Sequence, residues 1–257
     1  MDITNIIKQV PFTSFEIVGE GNTAKIYKIP ETDLVLKIFS SWPFTEFGLR
    51  RKNDNGLAEL YGALLTARAP LLPKTNILPL NKNPAYVEGM YPYGIFMQYK
   101  PHLEMGFKTS SFHDKYLLKN YLELLGRLHA QGIIVSPLEL ELGRHKKNQA
   151  FVHIPAIIDS KLTLVDWTNF SLVKQVIAFG NIPNTEFSRM LLLGRDTYHA
   201  YSFRPLFEDY GSLLYQKGEV SSIDQGRESA MEIYLNSLNE NSSDTDFVNR
   251  YKREMGL

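Results

Sequence analysis

The chain has 257 residues, with 28 Lys and Arg against 28 Asp and Glu, 44% hydrophobic side chains and no cysteine. That apolar fraction excludes global disorder, because enough hydrophobic surface is available to offset the cost of ordering the chain. The missing cysteines exclude disulfides, thiolate metal sites and thiol catalysis, and the balanced charge lacks the basic excess on which nucleic-acid binding by counterion release depends.

The length suits one large domain or two lobes. The first residues, Met1–Asn5, carry no basic region followed by an apolar core, and no apolar run approaches the ~20 residues of a membrane span. The expectation is a soluble, cytoplasmic protein with no nucleic-acid or membrane partner; a leaderless secreted effector would have the same signature.

In chain order, the spacing predicts short strands over 15–18, 24–29 and 34–39, the last bounded by Pro30 and Ser40. A helix follows over 57–69, stopped by Pro70 and Pro73. Strands near 77–80 and 93–99 complete a β-rich first part. After Pro101 the pattern turns helical: Leu117, Leu118, Tyr121, Leu122, Leu125 and Leu128 form one stripe over 115–130, ended by Gly132. Segments 154–158 and 162–166 flank a turn at Asp159-Ser160-Lys161. Helices are expected over 207–216 and 224–238, and a mobile polar stretch over 239–244. The fold class is therefore α+β in two lobes, residues 1–99 and 100–257.

The stretch 15–39, FEIVGEGNTAKIYKIPETDLVLKIF, carries the most chemistry. Gly19 and Gly21 bracket a strand turn, and Lys37 sits one strand later in VLKI. Glycines let backbone N–H groups approach phosphate oxygens closely, and a lysine on the next strand can reach those oxygens as a point charge. An ordinary hairpin explains the glycines alone; the coupled lysine is what raises the phosphate reading above it.

Here the sequence resembles the protein-kinase superfamily. Gly19-Glu20-Gly21-Asn22-Thr23-Ala24-Lys25-Ile26 is similar to the Gly-rich loop, with Ala24 in place of the third glycine. Lys37 matches the strand-3 lysine, and Glu59 is offered as its ion-pair partner. The strand over 93–99 resembles the one leading to the hinge, which puts Met97 at the gatekeeper position and the backbone of Gln98, Tyr99 and Lys100 against adenine. LLGRLHAQGII, over 124–134, is similar to the helix that runs into the catalytic loop, and LTLVDW puts Asp166 at the metal-binding position. The helix with Glu208-Asp209 is the loosest match. The resemblance spans about residues 14–216 and implies a two-lobed kinase-like fold that binds ATP and Mg²⁺.

The pattern breaks where the catalytic loop should be. After Ile134 the chain reads Val135-Ser136-Pro137-Leu138, so Pro137 stands at the position of the catalytic aspartate and Leu142 at that of the metal-binding Asn. No Asp lies between Asp114 and Asp159, so a shifted register does not restore one. A general base contributes roughly 10²–10⁴-fold, so its loss impairs transfer without abolishing nucleotide binding.

The leading expectation is a pseudokinase that binds nucleotide and acts on a protein partner as scaffold or switch. The alternative is an active atypical kinase, or a small-molecule phosphotransferase, with Glu139 or Glu141 as substitute base; two solvated carboxylates is the plainer reading of that pair. A third is an interaction module whose cleft is filled by Trp167, Tyr99 or Phe107. The basic clusters Arg50-Arg51-Lys52 and Arg144-His145-Lys146-Lys147 read as solvated loops, the six histidines show no zinc spacing, and only Ala178–Pro183 stands where an A-P-E segment would end the activation segment.

Overall fold

The computed structural model describes residues 3–21, 24–39, 56–100, 114–134, 156–158, 161–164, 167–172 and 204–242. It divides into two compact units, Met1–Tyr61 with Leu71–Leu103, and Gly62–Pro70 with Glu104–Leu257. The architecture is mixed α+β: an antiparallel sheet in the N-terminal part and a mainly helical C-terminal part.

The first unit begins with a helix, α1 (Ile3–Gln9), and a 3₁₀ turn, Phe12–Ser14. Five strands follow: β1 (Glu16–Glu20), β2 (Ala24–Lys28), β3 (Leu34–Phe39), β4 (Asn76–Pro79) and β5 (Tyr93–Gln98). They form one antiparallel sheet in the order β1-β2-β3-β5-β4. Because strand side chains alternate between faces, the register sorts them. Tyr27, Leu36 and Phe96 stand opposite one another across β2, β3 and β5 on one face. Tyr27 and Leu36 join Ile7, Phe12, Phe15, Ile38 and Leu78 in a core cluster, with Phe96 packed against it.

Helix α1 was not expected from sequence. It is fastened by Asn83, a buried amide whose Nδ2 donates to the carbonyls of Ile7 and Val10, the latter at 3.0 Å, while its Oδ1 accepts from Ala85 N at 2.9 Å. Donors and acceptors of this buried side chain are thus used locally, as burial requires.

Helix α2 (Gly56–Thr66) starts in the first unit and ends in the second. It stops before the expected 69, because Arg68 takes a left-handed backbone (φ 50°) and Ala69 N donates to Leu64 O at 2.9 Å, a helix-ending turn just ahead of Pro70.

In the second unit, α3 (Lys115–Ala130) is capped by Asp114, whose Oδ1 accepts from Tyr116 N and Leu117 N at 2.9 and 3.1 Å. It ends at Gly132, φ 65°. Two short strand pairs follow: β6 (Ile133–Ile134) with β9 (Ser171–Leu172), and β7 (Ala156–Ile158) with β8 (Lys161–Thr163). The helices α4 (Arg204–Gln216) and α5 (Ile223–Asn241) complete the described part.

Helix α5 starts with a reciprocal cap: Ser222 Oγ accepts from Gln225 N at 3.1 Å, and Gln225 Oε1 accepts from Ser221 N at 2.8 Å. It runs through Asn241, so residues 239–241 belong to the helix and not to a mobile polar stretch. Gln131 Nε2 donates to Asn241 O at 2.9 Å and holds that last turn.

The three helices meet at glycines. A Cβ on Gly126 would lie 2.7 Å from Ser237 Cβ and 2.7 Å from Tyr234 O, and one on Gly226 would lie 2.6 Å from Gly211 Cα. Backbone therefore touches backbone at the α4–α5 crossing.

Candidate functional site

The register of the sheet collects several of the sequence candidates on the face opposite the core cluster. Gly19 pairs with Ile26, and Ile26 pairs with Lys37, so these three stand in one row across β1, β2 and β3. Alternation then puts Ala24, Lys28, Val35 and Met97 on the same face as Lys37, since Val35 pairs with Lys28 and with Met97. Lys37 is half-buried, and its Nζ lies 5.4 Å from the centroid of the Phe39 ring two residues on, a cation–π distance.

The glycine turn closes the β1–β2 hairpin, with Gly21 N donating to Ala24 O at 2.9 Å. A β-bulge between Ile17 and Gly19 breaks the register there, which gives Gly19 a structural role. Among the described residues a Cβ on Gly21 would meet only Ala24 O, at 3.8 Å, an ordinary van der Waals distance.

Glu59 lies in the first turn of α2, where a carboxylate is favoured by the helix dipole, and is exposed. Met97 is buried.

The expected hinge is more committed than the sequence suggested. Gln98 N donates to Pro73 O at 2.9 Å and Tyr99 N donates to Asp33 O at 2.7 Å. Those two amides already hold the strand ends together, so a base docked along Gln98–Lys100 would meet the carbonyls instead of these donors. Asp33 organises the corner: Lys74 Nζ bonds both of its carboxylate oxygens at 2.7 Å, and Gln98 Nε2 donates to Oδ2 at 3.2 Å. The hydrogen bond from Lys74 holds the Asp33 carboxyl below its ordinary value.

A cation that sequence reasoning passed over, Lys28, completes this end of the face. Its Nζ sits 5.2 Å from the centroid of the Tyr99 ring and donates to Thr32 O. The period-2 position of Lys28, two residues after Ile26, was the available signal.

Asp166, Pro137, Glu139 and Glu141 lie outside the described residues, as do Phe107 and the basic clusters at 50–52 and 144–147. Trp167 and Thr168, directly after Asp166, are buried in a 3₁₀ turn, with Phe170 fully enclosed beside them. Among the described residues no group of three His, Asp or Glu side chains could hold a metal ion, and no helix is long and apolar enough to cross a membrane.

His129, at the end of the LLGRLHA helix, is a core residue. Its Nδ1 is 2.7 Å from the hydroxyl of Tyr234, the rings meet edge to face, and burial pushes its pKa down to about 4.

No family model matches the chain, and no curated protein matches it. Among solved structures, a choline/ethanolamine kinase family protein from Mesorhizobium loti is similar to it at a TM-score of 0.37 and 12% identity, over 99% of this chain and 98% of that one. At that level the likeness transfers neither substrate nor chemistry.

Proposed function

We propose that the chain is a protein-kinase-like nucleotide-binding protein whose phosphotransfer is impaired or absent, and which works as a scaffold or ligand-gated switch on a protein partner in the cytoplasm. The observation that carries this reading is the row Gly19, Ile26 and Lys37, which sets a cation on the third strand, two strands from the glycine turn, on the face opposite the core. In this reading residues 1–99 are the N-lobe and 100–257 the C-lobe. The phosphates of ATP lie along that row, with Gly21 leaving space for them and Lys37 opposing their charge. Ala24, Met97, Gln98 and Tyr99 border the base, and Glu59 steadies Lys37.

Asp166 would hold Mg²⁺, which when bound neutralises phosphate charge. Pro137 has no acid–base group to orient an acceptor hydroxyl, so binding outlives catalysis.

The test is thermal unfolding of the full chain with and without ATP, each with and without Mg²⁺, beside Asp166→Ala. Ligand at 100-fold its Kd stabilises by about 2.7 kcal/mol, or about 5–10 °C here. The account predicts a magnesium-dependent shift that the variant loses. Wild-type unfolding unmoved by nucleotide would refute it. Radiolabelled turnover that disappears in Glu139→Gln or Glu141→Gln would replace it with the active atypical kinase.

A further inference from the structure

A second polar concavity lies wholly within the second unit and shares no residue with the candidate face of the sheet. Lys119, Glu123 and Arg127 follow one another at four-residue spacing on α3 and so form one stripe along the helix. They line a groove of about 440 Å³ together with Ser237 and Glu240 of α5 and with Arg68, two residues beyond α2. That volume falls within the ~300–1,000 Å³ of small-molecule sites.

The groove is built on a rigid base. Gly126, beside Arg127, brings α3 within backbone contact of α5, and Ser237 Oγ donates to Glu123 O at 2.7 Å. Asn241 Nδ2 donates to Ser237 O at 2.7 Å, and the Gln131–Asn241 bond ties the helix ends together. The walls are held before any ligand arrives, so little ordering cost remains for binding.

One of these cations is left under-used by the described part of the protein. Among the described residues the buried Arg127 Nε meets no acceptor. Burial holds the Arg127 pKa below its ordinary value, opposed by the nearby Glu123 and reinforced to a lesser extent by Arg68. The Glu123 carboxylate is itself 3.7 Å from Lys119 Nζ. Arg68 occupies a left-handed backbone position, φ 50°, that glycine fills with less strain. The turn alone does not call for an arginine there.

We propose that this groove binds a small phosphorylated molecule, its phosphate held between the guanidiniums of Arg68 and Arg127 with Lys119 beside them. Guanidinium forks match phosphate oxygens in pairs. Glu123 and Glu240 set the class. Against three cations they leave a single net positive charge, which comes closer to balancing a phosphate monoester than a polyphosphate, and their oxygens accept from hydroxyl or ammonium groups on the rest of the molecule. This site stands independently of the nucleotide reading.

The test is titration calorimetry of the full chain with glycerol phosphate and with inorganic phosphate, at ionic strength held constant with chloride. Wild type and Lys37→Ala should bind alike. Arg127→Gln should weaken binding about tenfold or more. Arg68→Gln, at an exposed position, should weaken it at least about threefold and carries the test if Arg127→Gln fails to fold. No binding of either probe, or unchanged affinity in Arg68→Gln, overturns the proposal. So does loss in Lys37→Ala with retention in the arginine variants, which would move the phosphate to the sheet.

Discussion

In the five-stranded sheet, neighbouring backbones are held apart by hydrogen bonds and the space above the core face is filled by side chains such as Leu36, Ile38 and Phe96. In the helical unit, α4 and α5 cross with Gly211 against Gly226 and nothing between them, and α3 meets α5 at Gly126. A sheet face tolerates exchange of one apolar group for another of similar volume, whereas a backbone contact tolerates no added atom. The difference also separates the two candidate sites. Lys37 is positioned by strand alternation, which is local, while the groove lined by Arg68 and Arg127 rests on tertiary packing, with Gly126 letting α3 approach α5.

The largest effect expected from this contrast is at the crossing. Gly226→Ala puts a Cβ 2.6 Å from Gly211 Cα, a backbone atom that cannot swing away, and should cost about 3 kcal/mol or more by chemical denaturation. A stability within 1 kcal/mol of wild type would mean that the helices do not touch there.

Acid should act next, through the helical unit. His129 has a folded pKa of about 4 against an ordinary 6.5, so below pH 6.5 the unfolded chain takes up a proton that the folded chain refuses. Stability is then fully present above pH 6.5 and falls as pH drops toward 4, by roughly 3 kcal/mol at the limit. His129→Gln should flatten that slope in denaturation curves taken between pH 4 and 7; an unchanged slope would remove His129 as its source.

Gly62 provides the converse of Gly226. It lies inside α2 with no described residue within 4 Å of its missing Cβ, so Gly62→Ala should raise stability by about 0.5–1 kcal/mol. A loss instead would show that the α2 surface is covered.

The smallest effect belongs to the exposed corner of the sheet. The Asp33 carboxyl is held below its ordinary value chiefly by Lys74, so whatever it contributes is present above the ordinary carboxylate range and lost on acidification. Asp33→Asn should leave the neutral-pH melting temperature almost unmoved, because solvent screens such pairs. A large drop would mean that the Tyr99 N to Asp33 O bond depends on the charge.

The sheet was legible in the sequence for the same reason that its site was. LVLKIF is a short apolar run interrupted only by Lys37, its bounding Pro30 and the Gly21 turn are local signals, and the row from Gly19 to Lys37 follows once the strands pair. Helix α1 was also within reach: Ile3, Ile6, Ile7 and Val10 recur at helical spacing, but without a recognisable cap the segment did not stand out. The Asn83 clasp was not legible, because its partners are more than 70 residues away in the chain. Nor was the groove. Lys119, Glu123 and Arg127 announce a stripe, but Arg68 joins them only through tertiary packing of a turn far away in the chain. The length of α5 was missed because Asn239–Asn241 has loop-like composition, while a tertiary bond from Gln131 keeps it helical.

Equilibrium binding of ATP with Mg²⁺ to the full chain, measured for wild type, Lys37→Ala and Arg127→Gln side by side, tests the central claim most directly. The account predicts binding by wild type, affinity at least about tenfold weaker in Lys37→Ala, and no change in Arg127→Gln. Equal affinity in wild type and Lys37→Ala would contradict it, because the row of Gly19, Ile26 and Lys37 would then take no part in holding the phosphates.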